Sequence, residues 1–194
     1  MNLLKKHLIA YICLTLIIIS GCAGKKAPSF YIATDVDFSF IKRVAVLPLN
    51  NLTNDKFAGE IIRHVVVSEL LASGLVDCVS PGDAVAAIEK LKLKNEQSLG
   101  AEQIKALGKV LNVQAVIMGA VEKFGEVREG NISTYEVTIT LMMADANSGN
   151  IIWSVTKTSA GASFWEKHFG ARAETLSETV LKVVRDAIHT LYDY

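Results

Sequence analysis

Several absences narrow the reading before any positive signal is weighed. There is no excess of one charge: 20 Lys and Arg stand against 20 Asp and Glu, so the basic footprint of a nucleic-acid binder is missing. There is no catalytic signature. Gly108-Lys109 is followed by Val110 and has no correctly spaced glycine upstream, which excludes a phosphate-binding loop, and neither a Gly-x-Ser-x-Gly elbow nor a His-Glu-x-x-His pair occurs. Histidine is scarce. His64, His168 and His189 are far apart, and a structural zinc site needs about four clustered N or S ligands. Asp35 and Asp37 alternate, but two carboxylates fall short of the about 6–8 oxygens calcium takes. The residues therefore imply no metal, no cofactor and no enzyme. A long apolar run is absent too: Leu8 to Ile19 is twelve residues, against about 20 for a spanning helix.

What that short run does fit is a secretory signal. Lys5, Lys6 and His7 make a basic start, the apolar stretch follows, and small Ser20 and Gly21 precede Cys22. Ile19-Ser20-Gly21-Cys22 resembles a bacterial lipobox, in which the sulfur takes a diacylglyceryl group and the chain is cut before the cysteine. The expected parts are a signal peptide at 1–21, an acylated N-terminus and tether at 22–40, and one domain at 41–194. Two or more acyl chains anchor stably where one is marginal. Ala23, in place of an aspartate, favours the outer membrane and its periplasmic face. Loss of Lys5 and Lys6 leaves 18 cationic against 20 anionic side chains. Cys78 becomes the only free thiol, so no intrachain disulfide forms; it is either a buried structural residue or an intermolecular bridge.

Arg43 to Leu49 is apolar on both faces, as in a central strand, and Pro48 should end it. Asn50 to Asp55 reads as a turn, with Asn54 or Asp55 capping a helix over 56–73 that stops at Gly74. Val76 to Val79 is a short strand. Ser80-Pro81-Gly82-Asp83 starts a helix with Val85, Ile88 and Leu91 as its stripe, and a second helix covers 101–111 with Ile104, Leu107 and Leu111 inward. Val113 to Glu122 is another central strand. Glu129-Gly130-Asn131 turns into a strand of alternating pattern through Met143, and Asn147 to Asn150 turns again into 151–158, with Ile151, Trp153 and Val155 on one face. Leu176 to Leu191 is an amphipathic helix with Glu178 and Lys182 as an i, i+4 pair. The order is β-α-β-α-α-β-β-β-α. This is an α/β or α+β class with a single mixed sheet, a meander of three antiparallel strands, and helices mainly on one face.

RVAVLPLNNLTND (Arg43 to Asp55), VQAVIMGAVEKFG (Val113 to Gly125) and ADANSGNIIWS (Ala144 to Ser154), in this order behind a lipobox, resemble the domain of CsgG-type curli-secretion lipoproteins, LpoB-type penicillin-binding-protein activators and the N-terminal domain of TolB. The resemblance implies an envelope protein that binds or assembles other proteins without catalysis. Its partners are the bilayer, through acylated Cys22, and an envelope protein; it leaves room for a homo-oligomer and involves no nucleic acid. An activator of a peptidoglycan synthase and a subunit of a secretion channel are alternatives. The tether is much shorter than that of the activators, and the arm Val121 to Tyr135 has no dry face: Lys123 shares a parity with Val121 and Val127, and Glu122, Glu126 and Arg128 occupy the other. It should lie in water rather than span lipid. The candidate partner anchors are Phe164, Trp165, His168 and Phe169, in a glycine-flanked loop before the last helix.

Overall fold

The computed structural model describes residues 30–34, 36–93, 98–129, 132–159 and 174–192. Among these, seven strands form one sheet: β1 (Phe30–Ile32), β2 (Arg43–Val46), β3 (Asn50–Asn51), β4 (Asp77–Cys78), β5 (Ala115–Glu129), β6 (Ile132–Asp145) and β7 (Ile151–Ser159). The helices are α1 (Ala58–Ala72), α2 (Pro81–Lys90), α3 (Ala101–Leu111) and α4 (Leu176–His189). The sheet runs β1-β7-β6-β5-β2-β4, with β3 also on β5. β2, β3 and β4 pair in parallel, and β5-β6-β7 is the expected antiparallel meander.

The central strands are apolar at both parities because both faces of the sheet are covered. Val44, Val46, Ala115 and Ile117 point to α1 and α4, while Ala45, Leu47, Val116 and Met118 point to α2 and α3. This corrects the expectation of helices mainly on one face: they divide two and two. The stripe of α2 is Ala84, Ala87 and Ile88, and Val85 is exposed, because small residues let that helix lie close on the sheet.

Two short strands add to the expected order. Phe30–Ile32, inside the segment read as tether, pairs with β7 (Phe30 with Val155, Ile32 with Trp153). Burial of Ile32, Ala33 and Ile41 supplies the drive that polar Asp35 and Asp37 obscure in the sequence. Asn50–Asn51, read as turn, is a parallel strand on Ala120 and Val121: Pro48 interrupts β2, and the chain resumes pairing two residues later. The Asx chemistry survives, since the Asn51 carboxamide oxygen accepts from the Thr53 amide at 3.0 Å. The residue capping α1 is Phe57, with no side-chain bond; Asp55 instead accepts from the Phe57 amide at 2.8 Å, just ahead of the helix.

Ends elsewhere follow local chemistry. Ser80 caps α2 by accepting from the Asp83 amide, and Gly74, at φ +68°, turns the chain beyond α1. Thr175 and Glu178 close a capping box on α4 at 2.8 and 3.3 Å. Lys182 reaches Glu174 at 2.7 Å. A register shift between Met143 and Ala144 places both Ile152 and Trp153 in the core, leaving Ile151 exposed. Strict alternation could not show that bulge.

Candidate functional site

Cys22, Phe164, Trp165, His168 and Phe169 all lie outside the described residues. The described domain offers three surface features instead, each built by packing between distant segments.

The first is an apolar socket of about 270 Å³ at the C-terminal ends of α1 and α4. Leu70 and Leu75 come from α1 and the turn after it, Phe38 and Ile41 from the segment leading to β2, Met143 from β6 and Tyr192 from the chain beyond α4. A short 3₁₀ turn, Phe38–Phe40, sets its N-terminal wall, held by Asp37, whose carboxylate accepts from the Ser39 amide at 2.8 Å. The hydroxyl and amide of Ser39, then Lys42, hold that carboxyl below its usual range. Burial pushes the Tyr192 hydroxyl up, opposed by its contact with Ser73. Such a socket accepts an apolar side chain; it presents no nucleophile paired with a base.

Cys78 lies behind this region, half-buried against the core. Burial, then the charge of Asp77, pushes its thiol up to about 11. The thiolate needed for exchange is therefore scarce at neutral pH. His64 is exposed and lies 3.0 Å from Glu60, and His189 ends α4. Among the described residues no three His, Cys, Asp or Glu converge on a metal site.

The second feature is an exposed apolar turn at the start of α1, where Phe57 and Ile61 stand one turn apart and Lys56 lies 4.7 Å from the Phe57 ring.

The third is the β5–β6 hairpin, which continues past the helices. One face carries paired threonines, Thr138 with Thr158 at 3.0 Å and Thr140 with Thr156 at 2.8 Å. Thr140 donates to Glu122 at 2.6 Å, and Lys123 pairs with Glu136 at 2.8 Å. A bulge at Glu122 turns Phe124 back toward the core on the side of α1 and α4. Gly125, at φ +143°, adds a bend that a side chain would resist.

Sequence reading missed the element that locks the scaffold. Arg63, 2% exposed inside α1, donates from Nε and Nη2 to the Val46 carbonyl at 3.1 and 3.0 Å, and from Nη2 to the Pro81 carbonyl at 2.9 Å. β4 ends at Cys78 and leaves the outer edge of β2 unpaired beyond Val44, so Arg63 replaces a ladder donor there. The available signal was an arginine beside Ile62 on the apolar stripe of α1. Gly108, rejected above as part of a phosphate loop, has a packing role: a Cβ there would collide with Ala146.

The layered sheet, two helices to a face with a projecting hairpin, defines a fold shared with several solved bacterial proteins. The chain overlays a subunit of a dodecamer of a PelC variant from Paraburkholderia phytofirmans with a TM-score of 0.59 at 20% identity, over 84% of this chain and 96% of that one. Lipoprotein GNA1162 from Neisseria meningitidis gives 0.57 at 12% identity, over 79% and 99%. The LpoB C-terminal domain from Salmonella enterica gives 0.48 at 19% identity, over 66% and 88%. The first two overlays, at these identities, show a likeness of fold alone. No curated protein matches in sequence. The family itself is set by sequence: residues 26–158 match the model of the peptidoglycan-synthase activator LpoB, and the chain belongs to that family. Of the three types resembled, the match selects the activator type, and nothing found supports the curli type.

Proposed function

We propose that the chain is a lipoprotein acylated at Cys22, held on the periplasmic face of the outer membrane, where its domain binds another envelope protein and catalyses nothing. The observation that carries this reading is the family match over residues 26–158, which begins just downstream of the lipobox-like Ile19-Ser20-Gly21-Cys22. The socket beside Leu75 and Tyr192 is the surface we assign to an apolar anchor of that partner, since a few buried anchors carry most of the energy of a protein interface. A second reading, that the partner is a peptidoglycan synthase whose activity rises on binding, is favoured by the description of the matched family. A homo-oligomer is compatible with either.

Two measurements test the leading reading together. Labelled palmitate should enter the parent and not Cys22→Ser. A photo-crosslinker at Leu75 should capture one protein partner in intact envelopes, and a Tyr192→Asp change at the exposed rim of the socket should abolish the adduct. Palmitate in the mutant, or a crosslink indifferent to Tyr192→Asp, would remove the corresponding half of the proposal.

A further inference from the structure

We propose that the short tether holds the arms of the β5–β6 hairpin against the surface of the bilayer in which the chain is anchored. The inference rests on acylation of Cys22 and follows from strand direction and chain length. β1 is antiparallel to β7, which is antiparallel to β6, so the chain enters the sheet travelling away from the hairpin tip. Phe30, the first residue of β1, therefore stands on its tip side. Phe30 is level with Val155, which pairs with Leu141, which pairs with Gly119.

From Leu141 back to Ile132, the hairpin advances nine residues beyond that level, about 30 Å at ~3.3 Å per residue. From Phe30 back to Cys22 there are eight residues, a maximum of about 26–29 Å when fully extended. The tether is no longer than the projecting hairpin. A domain whose anchor lies in the bilayer cannot aim its hairpin at the membrane without touching it, and a tether short of full extension leaves less room still.

The arms suit the surface of a bilayer and not its interior. Val127 is 42% exposed and Arg128 and Lys123 are exposed; Tyr135 is half-buried opposite Glu126. Tyr, Lys and Arg favour the headgroup level. Glu122, Glu126 and Glu136 offset the two cations, so attraction to anionic lipid does not drive the contact and its dependence on salt should be weak. The same orientation turns the socket away from the membrane, because Met143 and the ends of α1 and α4 lie at the opposite end of the sheet.

The test uses the mature acylated protein in vesicles of phosphatidylethanolamine and phosphatidylglycerol, in a Cys78→Ser background so that a single introduced thiol carries an environment-sensitive dye. Val127→Cys and Arg128→Cys report the hairpin; Leu75→Cys, at a position 54% exposed, reports the far end. Headgroup-linked quenchers should quench both hairpin labels and leave Leu75→Cys bright, and a Gly/Ser insertion of about 20 residues after Ala23 should release the hairpin labels. Mass analysis of the N-terminal peptide separates the two readings. An unacylated Cys22 overturns the anchor and this proposal together. With Cys22 acylated, hairpin labels that stay bright, quenching equal at both ends, or quenching unchanged by the insertion overturn this proposal alone.

Discussion

The lower half of the sheet and the projecting hairpin share the strands β5 and β6 but obey different rules. From Ala115 to Met118 every residue of β5 is buried, since α1 and α4 cover one face and α2 and α3 the other. Above Val121 the same strand carries Glu122, Lys123, Glu126 and Arg128, and only Phe124 reaches back to the core. Stability is concentrated where the sheet is covered twice. The hairpin is held by ladder bonds and cross-strand pairs, each worth about 0.2–1 kcal/mol, and is free to serve as a contact surface.

That contrast gives graded predictions. Trp153, fully buried and donating from Nε1 to the Thr190 hydroxyl at 3.0 Å, joins β7 to the end of α4. Trp153→Ala should cost about 3–5 kcal/mol, read as a lowered denaturation midpoint; a loss below about 1 kcal/mol would mean the covered half is not the seat of stability. Arg63→Ala orphans the Val46 carbonyl and should cost about 2–3 kcal/mol. Arg63→Lys should not restore it, because one ammonium cannot reproduce the fork. Removing the cap with Ser80→Ala should cost about 1 kcal/mol. At the bottom of the scale, Val127→Ala on the hairpin should change stability by less than about 0.5 kcal/mol.

Cys78 supplies a pH-dependent version. Its thiol is raised in the folded state, to about 11 against an ordinary 9.0, so the folded protein holds the proton more tightly. The contribution is complete below pH 9 and is lost as pH rises from there through 11. Denaturation midpoints measured across that window should fall for the parent, and Cys78→Ala should lack this component.

The covered half was also the legible half. Val44 to Leu47 and Ala115 to Met118 announce burial on both faces by being apolar at both parities, and Ser80-Pro81-Gly82-Asp83 announces a helix start by its own chemistry. What the sequence concealed were tertiary decisions. β1 is three residues long and gains its place only when Ile32 finds Trp153 across the ladder. The bulges at Glu122 and Ile152 shift parity within otherwise regular strands. Arg63 looks like an ordinary helical arginine until the short β4 leaves a carbonyl of β2 without a partner. The socket was illegible for the same reason: its walls come from both ends of the domain, and no local pattern links Phe38 to Tyr192. The lipobox-like stretch Ile19-Ser20-Gly21-Cys22, by contrast, is a local pattern that needs no fold to be seen.

The sharpest form of the proposal, favoured by the description of the matched family, is that this domain acts by binding a peptidoglycan synthase at the membrane. The most direct measurement places the acylated protein in vesicles with the peptidoglycan synthase of the same organism and follows glycan polymerisation. The account predicts a rate that rises with the parent protein and does not rise with Tyr192→Asp, a socket variant whose acylation and thermal transition are verified first. A rate unchanged by the parent, with the synthase active and unbound, would contradict it.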